Sequence, residues 1–168
     1  MKQLILIRHA KSDWGSEGLK DIDRHLNERG YTDAYFMANW YAENQQLPDL
    51  IISSAATRAL STALIFARKL GLKMTSIEMQ PDIYEAHDDT LLKIVQKIGD
   101  SHKRVMLFGH NPGFTDLSNR LAPGTYFDNI PTCGIVAVNF KTDSWKKVNE
   151  ESGELAYYRF PKDFRERS

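Results

Sequence analysis

Leu4-Ile5-Leu6-Ile7 is an unbroken run of apolar β-formers that stops abruptly at Arg8-His9-Ala10. Such a run reads as a buried strand. Its end places a guanidinium and an imidazole at the carboxyl edge of a sheet, where open α/β sheets bind their ligands. The pattern recurs along the chain. Asp49-Leu50-Ile51-Ile52 leads into Ser53-Ser54-Ala55-Ala56-Thr57-Arg58, and Arg104 to Phe108 leads into Gly109-His110-Asn111-Pro112-Gly113.

Helical patterns lie between these strands. One starts at the N-cap residue Asn27 and carries Ala34, Met37, Ala38 and Tyr41 at helical spacing. A second carries Ala59, Ala63, Phe66, Ala67 and Leu70 and stops at Gly71, and a third carries Leu91, Leu92, Val95 and Ile98. Pro112 is placed to open another helix through about Leu121. A weaker strand is expected near Met74 to Met79, and two closing strands near Gly134 to Phe140 and Leu155 to Phe160. This alternation specifies an α/β three-layer sandwich in one domain spanning residues 1–168. Its central sheet is mostly parallel with helices on both faces and an antiparallel C-terminal addition. Lys11 to Arg24 reads as a long polar surface loop. The charged terminus from Asp163 to Ser168 is expected to fray.

Composition narrows the function. Lys+Arg and Asp+Glu both total 22 in 168 residues, so the chain lacks the global basic field of non-specific nucleic-acid binders. Any anion site must be built locally. A single cysteine, Cys133, excludes an internal disulfide and a thiolate zinc cluster. The N-terminal apolar run is too short for a signal-peptide core or a membrane span. The expected setting is cytoplasmic and reduced.

The three polar motifs follow three predicted strands, so they should meet at one sheet edge although they are far apart in sequence. Two arginines and two histidines together suit a doubly charged oxyanion such as a phosphoryl group. Arg58 falls in a first helical turn, where the dipole disfavours a cation unless an anion is near. Ser53 and Ser54 read as turn and capping residues, because no G-x-S-x-G context surrounds them. His25, His87 and His102 read as surface histidines. Trp14 either lines a substrate groove or covers the loop.

Taken in order, these motifs resemble the histidine phosphatase superfamily, with its phosphoglycerate-mutase-like fold, and most closely the small SixA-type phosphohistidine phosphatases. Asp21-Ile22-Asp23-Arg24-His25-Leu26-Asn27-Glu28-Arg29-Gly30 resembles a loop-to-helix signature of that branch. Ala10 stands where many superfamily members carry glycine and is compatible with the SixA-like branch.

The resemblance implies that His9 is a nucleophile that becomes transiently phosphorylated, and that Arg8, Arg58 and His110 surround the phosphoryl group. It implies that Glu85, in Tyr84-Glu85-Ala86, supplies the general acid, with Asp82, Asp88 and Asp89 competing nearby. Arg24 either reaches the phosphate or pairs with Asp21 or Asp23. His9 must be neutral at its attacking nitrogen, and a bond from its other ring nitrogen to a backbone carbonyl would fix the tautomer. His110, if protonated, adds a donor. Four such groups can do the work commonly assigned to Mg²⁺, so neither metal nor cofactor is expected.

The expected activity is phosphatase action on phosphohistidine carried by a protein. A phosphatase for a small phosphorylated molecule and a non-catalytic phospho-ligand binding module stay open. A mutase fits less well, because it needs a closed site. The short Arg58-to-Glu85 spacing leaves no room for an inserted covering domain, so an open cleft is expected.

Overall fold

A computed structural model describes residues 1–15 and 17–165. Six strands form one sheet in the order β3-β2-β4-β1-β5-β6. They are β1 (Lys2–Arg8), β2 (Leu50–Ser53), β3 (Glu78–Met79), β4 (Arg104–Gly109), β5 (Ile135–Phe140) and β6 (Gly153–Arg159). β1, β4, β2 and β3 pair in parallel, whereas β5 pairs antiparallel with β1 and β6 antiparallel with β5. Both the mostly parallel sheet and its antiparallel addition match the sequence expectation.

The unbroken apolar runs are explained by burial on both faces. Leu4 and Leu6 of β1, Val105 and Leu107 of β4 and Val136 and Val138 of β5 enter one hydrophobic cluster. Ile5 and Ile7, Met106 and Phe108, and Ile135 and Ala137 enter the other. The first cluster is closed by Leu91, Leu92 and Val95 of α3 (Asp88–Gln96) and by Phe114, Leu117 and Leu121 of α4 (Gly113–Leu121). The second is closed by Ala34, Met37, Ala38 and Tyr41 of α1 (Glu28–Asn44) and by Ala63, Phe66 and Ala67 of α2 (Thr57–Lys69). Helices therefore cover both faces, as the α/β alternation requires.

Local signals acted where they were expected. Asn27 caps α1 by accepting from Gly30 N–H, and Gly71 after α2 takes a left-handed φ of 71°. Three expectations are corrected. The strand near Met74 to Met79 shrinks to Glu78–Met79, preceded by a 3-10 turn over Met74–Ser76. This sheet edge leaves Met74 and Met79 exposed and has little to bury. Pro112 stands at the N-cap position, one residue before the first turn of α4 where it was expected, and makes no side-chain capping bond. The terminus does not fray from Asp163, because α5 (Pro161–Arg165) sets Phe164 against Phe36 and Trp40; the rest of the predicted tail lies outside the described residues. Among the described residues, no helix is long and apolar enough to cross a membrane.

The sheet register sets the site. Arg8 lies level with Gly109, and Ser53 with Phe108, so the ends of β1, β2 and β4 share one edge. The motifs that follow them emerge side by side.

Candidate active site

His9 leaves β1 as its N–H donates to the Gly109 carbonyl at 3.0 Å. The next residue, Ala10, is fully buried, and its N–H donates to Thr62 Oγ1 (3.0 Å). The Thr62 hydroxyl in turn donates to the Arg58 carbonyl (2.8 Å), which fixes the first turn of α2 against the end of β1. A small residue at position 10 makes this approach possible.

The His9 ring is buried, and its Nδ1 lies 2.7 Å from the Ala10 carbonyl. A carbonyl only accepts, so Nδ1 carries the proton and Nε2 keeps its lone pair. Burial lowers the His9 pKa to about 3, and His110, Arg8 and Arg58 push in the same direction. The imidazole is thus held neutral, with its lone pair on Nε2.

His110 follows β4 and lies beside His9, with ring centroids 5.2 Å apart. Its Nε2 is 2.8 Å from Ser54 Oγ, and Ser54 Oγ also accepts from Ala56 N–H. In the tautomer in which the Ser54 hydroxyl donates to Nε2, His110 Nδ1 carries the N–H. Burial, followed by the charge of Arg58, lowers the His110 pKa to about 4. His110 is accordingly neutral rather than a cation, and in that tautomer Nδ1 is its donor. Ser54 serves it as an orienting group, and the N-cap of α2 is Ala56, not a serine.

Arg8 donates from Nη1 to the Ile130 carbonyl (2.9 Å). Arg58 donates from Nη1 to the Asp21 carbonyl (2.7 Å) and from Nη2 to Asp21 Oδ2 (3.1 Å). Burial and the neighbouring Arg58 pull the Arg8 pKa below its ordinary value, which reflects two guanidiniums held close together. Among the described residues, three buried nitrogens at this cleft have no protein partner: Arg8 Nε, Arg58 Nε and His110 Nδ1. An unsatisfied buried donor costs about 1–3 kcal/mol, so a cluster of them around a neutral imidazole calls for an acceptor-rich ligand.

Arg8, His9, Arg58 and His110 line a cleft of about 300 Å³, with Trp14, Asp21 and Arg24 at its mouth. Arg24 donates to Asp21 Oδ1 (3.0 Å) and to Ser12 Oγ (2.6 Å), so it does pair with Asp21. Glu85 is the expected residue that the structure leaves outside this lining. It is exposed, with a left-handed φ of 59°.

Sequence reasoning missed the wider role of Asp21. Its carboxylate also bonds Arg58 and accepts from the Tyr84 hydroxyl. The Tyr84 bond, then Arg24 and Arg58, pull Asp21 down to about 2. The Tyr84 ring meets His110 edge-on at 5.6 Å. The only sequence signal for this cluster was the i,i+3 spacing of Asp21 and Arg24.

Comparison with known proteins places nearly the whole chain beside similar sequences and folds. An uncharacterised chloroplastic protein of Arabidopsis thaliana is 29% identical over 160 residues, 90% of this chain and 72% of that protein. A solved structure from Agrobacterium tumefaciens, described as that of a candidate phosphohistidine phosphatase SixA, superposes with a TM-score of 0.78. It is 28% identical and covers 95% of this chain and 98% of its own. A protein histidine phosphatase SixA solved with tungstate shares the fold, with a TM-score of 0.82 at 21% identity over 96% of this chain and 99% of that one. The sequence profile of the histidine phosphatase superfamily (branch 1) matches residues 4–91. That span is just over half of the chain and holds β1, α1, β2, α2 and the Tyr84-Glu85 loop, and the chain belongs to the histidine phosphatase superfamily.

Proposed function

We propose that this chain is a metal-independent phosphatase that works through a phosphorylated His9 and takes phosphohistidine on a protein as its substrate. Family membership and the SixA-type neighbours support phosphatase activity. The observation that carries the mechanism is the set of three unpartnered nitrogens around a neutral His9 whose Nδ1 is already committed to Ala10.

In this reading, His9 Nε2 attacks phosphorus and forms a P–N bond as the bond to the leaving group breaks and the leaving atom takes its electron pair. Arg8, Arg58 and His110 donate to the phosphoryl oxygens, where charge must be stabilised. Water then attacks phosphorus, the P–Nε2 bond breaks, and phosphate leaves. Arg24 stands at the rim and adds positive charge to the approach.

The proton balance of the first step favours phosphohistidine. Asp21 is the carboxylate among the described lining residues, and it is ionised and bound to arginines. It has no proton to give. An imidazole leaving group protonated on its second nitrogen departs as a neutral ring and needs no acid from the enzyme. An unactivated alkyl phosphate does need one. The oxyanion donors are cationic or neutral N–H groups, which fits chemistry without a metal, and a cytoplasmic setting belongs to the same proposal.

The test is brief incubation with a labelled aryl phosphate followed by rapid quench, with and without chelator. An acid-labile phosphoryl adduct on His9 is expected, present with chelator and lost in His9→Ala. Turnover that survives His9→Ala overturns the mechanism, and activity lost to chelator overturns metal independence. A panel of small phosphorylated metabolites tests the substrate class, and a strong preference for one of them would replace the protein substrate.

A further inference from the structure

We propose that Trp14 is a specificity-determining residue: its indole forms the face against which the departing imidazole ring of a phosphohistidine stacks. This rests on the reading of the site as a phosphatase for phosphohistidine.

Trp14 lines the mouth of the cleft whose floor holds His9, yet it is 77% exposed. An indole that exposed contributes little to the core and leaves its aromatic surface available to a ligand in the cleft. The surrounding chain is built to hold it in place. Ser12 forms an antiparallel bridge to Leu26, and Asp13 N–H donates to the His25 carbonyl at 2.8 Å, which ties the rim to the entry of α1. Asp13 Oδ1 then accepts from Gly15 N–H (2.8 Å), closing a tight turn with Trp14 at its apex.

Arg24 supplies the backing. Its guanidinium carbon lies 3.5 Å from the centroid of the indole, and its nitrogens are bonded to Asp21 and Ser12. A cation held against one face fixes the ring plane. The rest of the ring is exposed to solvent, and the residue lines the same cleft as His9.

A phosphoryl group bound on the floor, in line with His9 Nε2, leaves its leaving group directed outward to the rim. In a phosphohistidine that leaving group is a flat aromatic ring. Stacking on a pre-oriented indole positions this ring without requiring a proton donor and suits the absence of an acid at the floor. A substrate with the same P–N bond but no ring gains nothing from Trp14.

The test compares a phosphohistidine peptide with phosphoramidate, which carries the same P–N bond on a bare amino group. For wild type, Trp14→Phe and Trp14→Leu, the readout is the ratio of kcat/KM for the peptide to that for phosphoramidate. Trp14→Leu keeps apolar bulk and removes the π face, and is expected to lower the ratio about three- to tenfold. Trp14→Phe is expected to keep most of it. An unchanged ratio in Trp14→Leu, or an equal fall in both variants, overturns the assignment. If wild type releases phosphate from neither compound, the phosphatase reading itself falls, and the Trp14 assignment with it.

Discussion

At the floor of the cleft, Arg58 is buried and Arg8 half-buried, and each leaves its Nε without a partner among the described residues. At the rim, Arg24 donates to two side chains and lies on a tryptophan face. The same residue type is thus left unsatisfied in one place and satisfied in the other. Unpaired buried donors are costly, and under the proposed mechanism an oxyanion arriving at the floor would remove that penalty. The rim is already compensated and holds its shape without a ligand. Arg58 belongs to both, because Asp21 ties two of its nitrogens to the rim while Nε stays unpartnered.

Arginine truncation should separate the two regions most sharply. Arg58→Ala is expected to reduce kcat/KM about 10²- to 10³-fold, the usual loss when an oxyanion donor is removed. Arg24→Ala is expected to change it by less than about tenfold, mainly through KM. Steady-state kinetics on an aryl phosphate checks both, and comparable losses would erase the distinction between floor and rim.

Acid is the next probe. His9 and His110 are neutral when folded, with pKa values lowered to about 3 and about 4, whereas in the unfolded chain they titrate near the ordinary 6.5. Below 6.5 the unfolded state binds protons that the folded state refuses, so stability is full above 6.5 and falls as pH drops toward 4 and then 3. The urea midpoint should therefore decline between pH 6.5 and 4 and stay level from 7 to 8. His110→Asn should flatten part of that decline. Bound tungstate should also reduce it, because a nearby anion favours protonated His110.

Asp21 tests the link between the regions. Asp21→Asn keeps most of the shape and removes a negative charge beside the oxyanion site. Tungstate affinity is expected to rise about two- to fivefold, as Arg58 and Arg24 lose a competing anion. Thermal stability is expected to fall, since Asp21 joins the Lys11–Arg24 loop to α2 and to Tyr84. Isothermal titration and thermal denaturation give the two signs separately, and weaker tungstate binding would mean that Asp21 mainly positions Arg58.

The floor was legible in the sequence because its signals are local. Arg8-His9 and Gly109-His110 each sit where an apolar strand run stops, and parallel pairing alone brings such ends to one edge. Arg58 was legible as a cation in the wrong helical turn. The rim was legible only in part, in the Asp21–Arg24 spacing and in Trp14 as a candidate groove residue, because its other bonds depend on the path of an irregular loop. Asp21 meets Arg58 and Tyr84 across sequence separations of 37 and 63 residues, with no periodicity to announce it. Ser54 was visible as a turn residue, but its role as the partner of His110 depends on the level of β2 against β4.

Glu85 marks the boundary of that legibility and should give the smallest effect. Its neighbour Tyr84 reaches into the rim cluster, while Glu85 itself is exposed, in a left-handed backbone conformation, outside the cleft lining. A carboxyl that delivers a proton must come within hydrogen-bond reach of the leaving atom. Glu85→Gln is therefore expected to change kcat/KM by less than about threefold on aryl phosphates with good and with poor leaving groups alike. Glu85→Gly, which suits the positive φ, should keep or raise stability. A loss in Glu85→Gln that grows as the leaving group worsens would mean that the loop closes over bound substrate, and would move Glu85 from the rim's edge into the reaction as its acid.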